Sequence, residues 1–250
     1  MRRALAAAGV TAAEIDRRVL CLDSKGLILK DRPGLSGHKV EIAGDPDIVR
    51  GWAVTGSRIG LADVVRAFAP TTLVGVSGQA ASFTEDIVRT MHAAVARPII
   101  LTLSNPTSKV EARPEQLLAW TNGAAIIGTG SPFAPVLHDG VTYHIGQCNN
   151  AFVFPGIGLA ASVVGAKSVP DAAFAAAAAA VHEATGTSNV PGTSIFPPIA
   201  ELRAVSARVA VAVGKALVQA GVNRVSEDID VDAAIHQAIW EPKYLPYRAG

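Results

Sequence analysis

Along the first 130 or so residues, short apolar runs alternate with stretches whose apolar positions recur at helical spacing. VLCLD (19–23), TLVGVSG (72–78), PIILTLSNP (98–106) and AAIIGTGS (124–131) are each bounded by turn residues. That is the pattern of strands buried on both faces of a parallel sheet. Between them, Leu61 to Phe68, Thr84 to Val95 and Pro114 to Trp120 read as helices, the second with Ser82 and Glu85 at the spacing of a capping box. Strand and helix in strict alternation imply right-handed crossovers and a doubly wound α/β fold. The polar, glycine-rich stretch from Leu27 to Gly56 has no period and reads as a long loop with room for one turn of helix.

After about residue 150 the pattern changes to helices alone: Gly158 to Lys167, Ala172 to Ala184, Ile199 to Ala220 and Val231 to Ile239. The stretch from Asp171 to Val181 is almost pure alanine, a strong helix former because alanine loses no side-chain entropy. These helices are expected to pack back onto the sheet.

Composition narrows the function classes. A chain of 250 residues, half of them apolar, can bury roughly 70 to 75% of the surface its unfolded form exposes, so it is globular. Lys and Arg number 22 against 21 Asp and Glu, and the net charge of +1 offers no electrostatic footing for nucleic acid or an anionic membrane surface. No window reaches the 18 or so apolar residues of a membrane span, and Thr11, Glu14 and Asp16 interrupt any signal-peptide-like run, so a cytoplasmic location is expected. Two cysteines, Cys21 and Cys148, make no disulfide framework and are expected to be free thiols.

The candidate chemistry lies at the strand ends. Ligands of open α/β sheets bind outside the carboxyl ends of the strands, and here those ends carry Asp23 and Ser24, Ser77 and Gly78, Ser104 and Asn105, Gly130 and Ser131. Glycine and serine let a flat cofactor approach the backbone, and an amide offers both donor and acceptor. An acid ending a second strand is where a dinucleotide fold grips the adenosine ribose, although an aspartate there serves equally as a turn residue. The glycine-rich phosphate turn should precede that acid by about 20 residues. Counting back from Asp23 reaches Met1, so the first strand and its turn are expected to lie outside the sequence. The G-x-G-x-x-A at Gly156 to Ala161 has no strand-ending acid downstream and reads as a helix start eased by glycine behind Pro155. In GQCNNAFVFPG (146–156) two neutral amides precede an apolar run; they suit orientation of a carboxylate or hydroxyl, or simply a loop cap.

LDSKGLI (22–28), GVSG with FTEDIVR (75–89), RPIILTLSNPTSK (97–109), TGSPFAPV (129–136), GQCNNAFVFPG (146–156) and FPP (196–198) resemble the malic enzymes in order and spacing, over nearly the whole chain. Members of that family oxidise malate with NAD or NADP and decarboxylate the product to pyruvate, assisted by Mg²⁺ or Mn²⁺. The resemblance implies a Rossmann-like sheet lacking its first strand and glycine-rich turn, divided into a partial dinucleotide-binding domain (1–150) and C-terminal helices of the same domain (151–250). It implies that Asp23 meets the adenosine ribose with Ser24 beside it, and that Val76, Ser77, Gly78, Asn105, Gly130 and Ser131 complete the cofactor site. Asn105, Asn149 and Asn150 are implied to contact malate. The family's acid, base, substrate arginine and metal-ligating carboxylates would lie upstream of Met1, so no catalytic residue or metal ligand is assigned, and the chain is expected to be inactive alone. GVSGQAASF departs from the family's more glycine-rich version, and Cys148 stands where glycine is common. NADP-preferring members carry lysine in the loop after the ribose aspartate; the register falls on Val40 with Lys39 beside it, which favours NAD. Malolactic enzyme shares the scaffold, and a non-catalytic module that binds dinucleotide or pairs with a subunit is the alternative of another class. The expected partners are malate and dinucleotide, with a homo-oligomer or a complementing N-terminal half.

Overall fold

The computed structural model describes residues 1–54, 56, 58–186, 190–226, 228–242 and 244. They form two compact units: Met1–Cys148 with the described part of Ser188–Ile195, and the described parts of Asn149–Thr187 and Phe196–Gly250.

The first unit opens on α1 (Arg2–Ala7) and α2 (Ala12–Arg18). A capping box starts α2: Thr11 Oγ1 accepts the Glu14 N–H, and Glu14 Oε2 accepts the Thr11 N–H at 3.1 Å, which satisfies two helix-end donors at once. An antiparallel pair follows, β1 (Leu22–Asp23) and β2 (Gly26–Leu27), then α3 (His38–Ile42), a 3₁₀ turn at Pro46–Val49 and α4 (Leu61–Phe68). From there strand and helix alternate: β3 (Thr72–Gly75), α5 (Glu85–Ala94), β4 (Ile99–Thr102), α6 (Pro114–Trp120) and β5 (Ile126–Thr129). The hairpin β6 (Val136–His138) and β7 (Val141–Tyr143) leads into β8 (Gly146–Gln147). One sheet has the order β3-β4-β5-β8, every pair parallel. Leu73, Ile100 and Ile127 point from it into a core completed by Val65, Val88, Met91, Leu117 and Leu118, which come from α4, α5 and α6.

Several expectations are corrected. VLCLD does not join the parallel sheet. Asp23 Oδ1 accepts the Lys25 N–H at 2.9 Å, Gly26 takes φ +97°, and the chain turns back on itself after two paired residues. The strands are not uniformly buried on both faces: Val74 on β3 is 39% exposed between buried Leu73 and Gly75. The helix at 85 is capped by Thr84, whose Oγ1 accepts the Ile87 N–H, and not by Ser82. The stretch from Leu27 to Gly56 holds α3 and a 3₁₀ turn, and Leu27 and Leu29 form a small core with Val64. The hairpin β6–β7 was not anticipated. Its two-residue loop, Asp139 and Gly140, has φ +47° and +77°, the doubly positive pattern of a type I′ turn that matches the twist of the flanking strands.

In the second unit α7 (Phe154–Val163), α8 (Asp171–Thr185) and α10 (Val231–Ala238) pack around α9 (Leu202–Gln219). Small residues set the spacing. Ala173, Ala177 and Ala180 recur at i, i+4 and i+7 on the buried face of α8. A Cβ at Gly156 would lie 2.6 Å from the Ser206 carbonyl oxygen, so the first glycine of G-x-G-x-x-A lets α7 approach α9.

Leu117 is wholly buried, and Leu117→Ala is expected to lower unfolding free energy by about 3 kcal/mol, against about 1 kcal/mol for the cap change Thr84→Ala. Urea unfolding followed by circular dichroism checks both, and equal losses would contradict the core assignment.

Candidate functional site

Thr72, Ile99 and Ile126 are register partners, and so are Gly75, Thr102 and Thr129, so β3, β4 and β5 begin and end level. A serine stands two residues beyond each level end: Ser77, Ser104 and Ser131. The loops that follow therefore leave the sheet at one height, and their polar groups meet side by side.

The first two loops are joined through Glu111, a side chain with no solvent exposure. Ser104 Oγ accepts the Gly78 N–H at 2.9 Å and donates to Glu111 Oε1. Glu111 Oε1 also accepts the Ser77 N–H at 3.2 Å, with the Ser77 hydroxyl at 3.5 Å; Oε2 receives the Ser104 N–H at 3.5 Å. The neighbouring backbone adds to the hold, since Ala81 and Phe83 donate N–H bonds of 3.0 Å to the Val110 and Glu111 carbonyls. Room for the carboxylate comes from Gly75, where a Cβ would lie 2.4 Å from Glu111 Cδ. The glycine opening GVSG is thus explained by packing.

The third loop is fastened to the second. Ser131 Oγ donates to Asn105 Oδ1, and the Gly130 N–H donates to the Thr102 carbonyl at 3.0 Å. A Cβ at Gly130 would lie 2.2 Å from the Leu103 carbonyl oxygen, so only glycine fits there. Ser131 is buried, whereas Ser77, Gly78 and Asn105 are exposed and Val76 is 74% exposed. At Gly78, φ is +67° and an added Cβ would meet nothing within 4 Å, so the bare backbone there lies open to a flat ligand. Together they leave an open edge lined by backbone and small polar side chains.

Asp23 sits on the β1–β2 hairpin. Arg32 grips it through two nitrogens at 3.0 and 2.7 Å, and Lys39 Nζ lies 2.7 Å away. These two hydrogen-bonded cations, Arg32 foremost, hold its carboxyl well below the usual carboxylate range. It is at once a turn residue, through the Lys25 N–H, and a fixed anion. The Ser24 carbonyl accepts a bond of 3.0 Å from Arg58. In the second unit, Asn149 caps the 3₁₀ turn Asn150–Phe152, its Oδ1 accepting the Ala151 N–H at 2.9 Å, and Asn150 is exposed. The cap reading of this pair is therefore realised at Asn149. Among the described residues there is no group of three or more His, Cys, Asp and Glu side chains placed to hold a metal ion, so they do not fit the family's metal site.

Sequence reasoning missed Glu111. The signal available was an acid flanked by the apolar Val110 and Ala112 directly after SNPTSK. A hollow of about 470 Å³ lies at the opposite ends of the strands, lined by Arg97, Asn122, Tyr143 and His144 among others. The level polar edge is the better candidate, because ligands of parallel sheets sit at the carboxyl ends.

A parallel sheet with helical crossovers and such an edge defines a Rossmann-like α/β protein. Residues 1–218 match the family described as malic enzyme, NAD binding domain, and the chain belongs to that family. It is 44% identical over 240 residues to the NAD-dependent malic enzyme of Sodalis glossinidius, covering 96% of this chain and 42% of that relative. It is 43% identical to NAD-dependent malic enzyme 3 of Bacillus subtilis, covering 100% of this chain and 44% of that relative. The chain thus spans about two-fifths of the length of the curated relatives it matches. In fold it resembles the malic enzyme of Entamoeba histolytica (TM-score 0.68, 22% identity, 88% of this chain and 40% of that one). The malic enzyme from Pyrococcus horikoshii is similar in the same way (TM-score 0.64, 20% identity, 88% and 45%).

Burial pushes the Cys148 thiol up to about 12 and raises that of Cys21. Both should react slowly with a disulfide reagent at about pH 8 and at the free-thiol rate once unfolded, since only the thiolate is nucleophilic. An unfolded thiol ionises near 9.0 while Cys148 in the folded chain holds its proton, so stability should fall as pH rises from there towards 12. Thiol titration with and without urea, and melting curves against pH, check the two statements.

Proposed function

We propose that this chain is the dinucleotide-binding part of an NAD-dependent malic enzyme, in which (S)-malate is oxidatively decarboxylated to pyruvate and CO₂. The observation that carries the reading is the level row of strand ends, open at Gly78 and lined by Val76, Ser77 and Asn105, in a chain of this family. NAD would be held along this edge by Ser77, Gly78 and Asn105 and would supply an acceptor for the hydride at C2 of the substrate. The chain's own residues bind and orient. Ser77 and Gly78 line the cofactor, Asn105 lies towards its nicotinamide side, and Gly130 and Ser131 support Asn105 from beneath. Asn149 and Asn150 contribute neutral amides that orient malate without titrating. Among the described residues no three His, Cys, Asp or Glu side chains are grouped to hold a metal ion, and these 250 residues are proposed to bind NAD without turning over malate.

Asp23 is assigned the adenosine ribose, where a carboxylate accepts hydrogen bonds from both hydroxyls and repels the 2′-phosphate of NADP. Its lowered pKa makes the assignment testable across pH. The group stays ionised above the ordinary carboxylate value of 3.8, and its contribution is lost only as pH falls through the lower folded value.

Isothermal titration should find NAD bound more tightly than NADP, with little change between about pH 5 and 8. Asp23→Asn should weaken NAD by about tenfold or more and narrow the gap to NADP, because Arg32 and Lys39 lose the anion they pair with. A malate assay with Mn²⁺ should show no turnover. NAD formation of a complex no tighter than that of NADP would overturn the cofactor assignment, and real turnover would overturn the division of labour.

A further inference from the structure

Glu111 takes no part in the function just proposed, yet the two loops assigned to the cofactor both depend on it. We infer that Glu111 is a positioning residue for the dinucleotide: its buried carboxylate holds the Ser77–Gly78 loop and the Ser104–Asn105 loop in the binding arrangement. The inference rests on the reading of this edge as the dinucleotide site and adds the residue that shapes it.

The chemistry of the contacts is one-sided. Each group turned towards the Glu111 carboxyl oxygens donates: the Ser77 N–H, the Ser77 hydroxyl, the Ser104 N–H and the Ser104 hydroxyl. Ser104 then passes the constraint on, because the same oxygen that donates to Glu111 accepts the Gly78 N–H. One side chain thus fixes the backbone at Ser77 directly and at Gly78 through one intermediary, and both residues are exposed, with open space beside Gly78. The backbone bonds from Ala81 and Phe83 to the Val110 and Glu111 carbonyls do not involve the carboxylate. Removing the carboxylate should therefore loosen residues 77–78 while leaving residues 81–83 attached.

Glu111→Gln keeps the size and replaces one acceptor oxygen by an N–H₂ that faces donors. The 250-residue chain and this variant are titrated with NAD and, separately, with AMP, whose ribose is assigned to Asp23 on the β1–β2 hairpin. The expected result is a rise of about tenfold or more in the NAD dissociation constant with AMP affinity unchanged. A purely structural role would instead lower both affinities together with the melting temperature, and that outcome, or unchanged NAD affinity, overturns the inference. Should Glu111→Gln fail to fold, Ser104→Ala removes the hydroxyl that joins Gly78 to Glu111 and leaves the Ser77 bonds to Glu111 in place; selective loss of NAD supports the inference and wild-type affinity overturns it. Failure of the unaltered chain to bind NAD would overturn the site reading itself, and this inference with it.

Discussion

Parallel pairing imposes the condition from which the rest of the first unit follows. When β3, β4 and β5 align residue for residue, from Thr72, Ile99 and Ile126 to Gly75, Thr102 and Thr129, three loops must leave the sheet at the same height. Crowding at that height explains the glycines better than flexibility does. Gly75 makes way for the Glu111 side chain and Gly130 for the Leu103 carbonyl; Gly128 makes way for the Cys148 sulfur, which lies 2.4 Å from where its Cβ would be. At Gly78, in contrast to Gly75, Gly128 and Gly130, the absence of a side chain leaves empty space, and there a ligand can reach the backbone.

Much of this architecture was legible in advance because it rests on local signals. The strands at 72, 99 and 126 were apparent as short apolar runs, and the helices Leu61–Phe68 and Pro114–Trp120 have the bounds their apolar spacing and Pro114 indicated. The ordered motifs that resembled the malic enzymes led to the family that residues 1–218 match. VLCLD misled because an apolar run says nothing about its partner, and Asp23 beside Gly26 favours an immediate reversal. The Asp139–Gly140 turn was readable and went unread. β8 was not readable, since a Gly-Gln pair carries no strand signal and pairs with β5 only through tertiary context. Of the candidate site, Ser77, Gly78, Ser104, Asn105, Gly130 and Ser131 were named from position alone, and they lie just beyond the level ends of β3, β4 and β5. Glu111 was not, because its partner Ser77 lies 34 residues away in sequence.

Asp23 and Glu111 show how environment divides labour between like groups. Asp23 is partly exposed and gripped by Arg32 and Lys39, so its charge is fixed and locally balanced. Glu111 is surrounded by peptide and hydroxyl donors, with no cation bonded to it among the described residues. The first arrangement suits a group that meets a polar ligand in water. The second suits a group that shapes a backbone, because several donors converging on one buried acceptor inside a low-dielectric core hold their geometry tightly.

The shared height of the strand ends also bears on what changes in chain length the fold can absorb. In the stretch between β2 and α4, Leu29 is buried and Arg32 and Lys39 hold Asp23, but the exposed surface at Pro33 and Gly34 could gain or lose a residue with less disturbance. Between Gly75 and Ser77, or between Thr102 and Ser104, the spacing is two residues and both ends are held, one in the ladder and the other on Glu111. A single residue inserted there would carry the serine past its acceptor, and deletion would leave it short. Related chains that vary in length at Pro33 and Gly34 should thus keep these two intervals at constant length, whatever residues fill them.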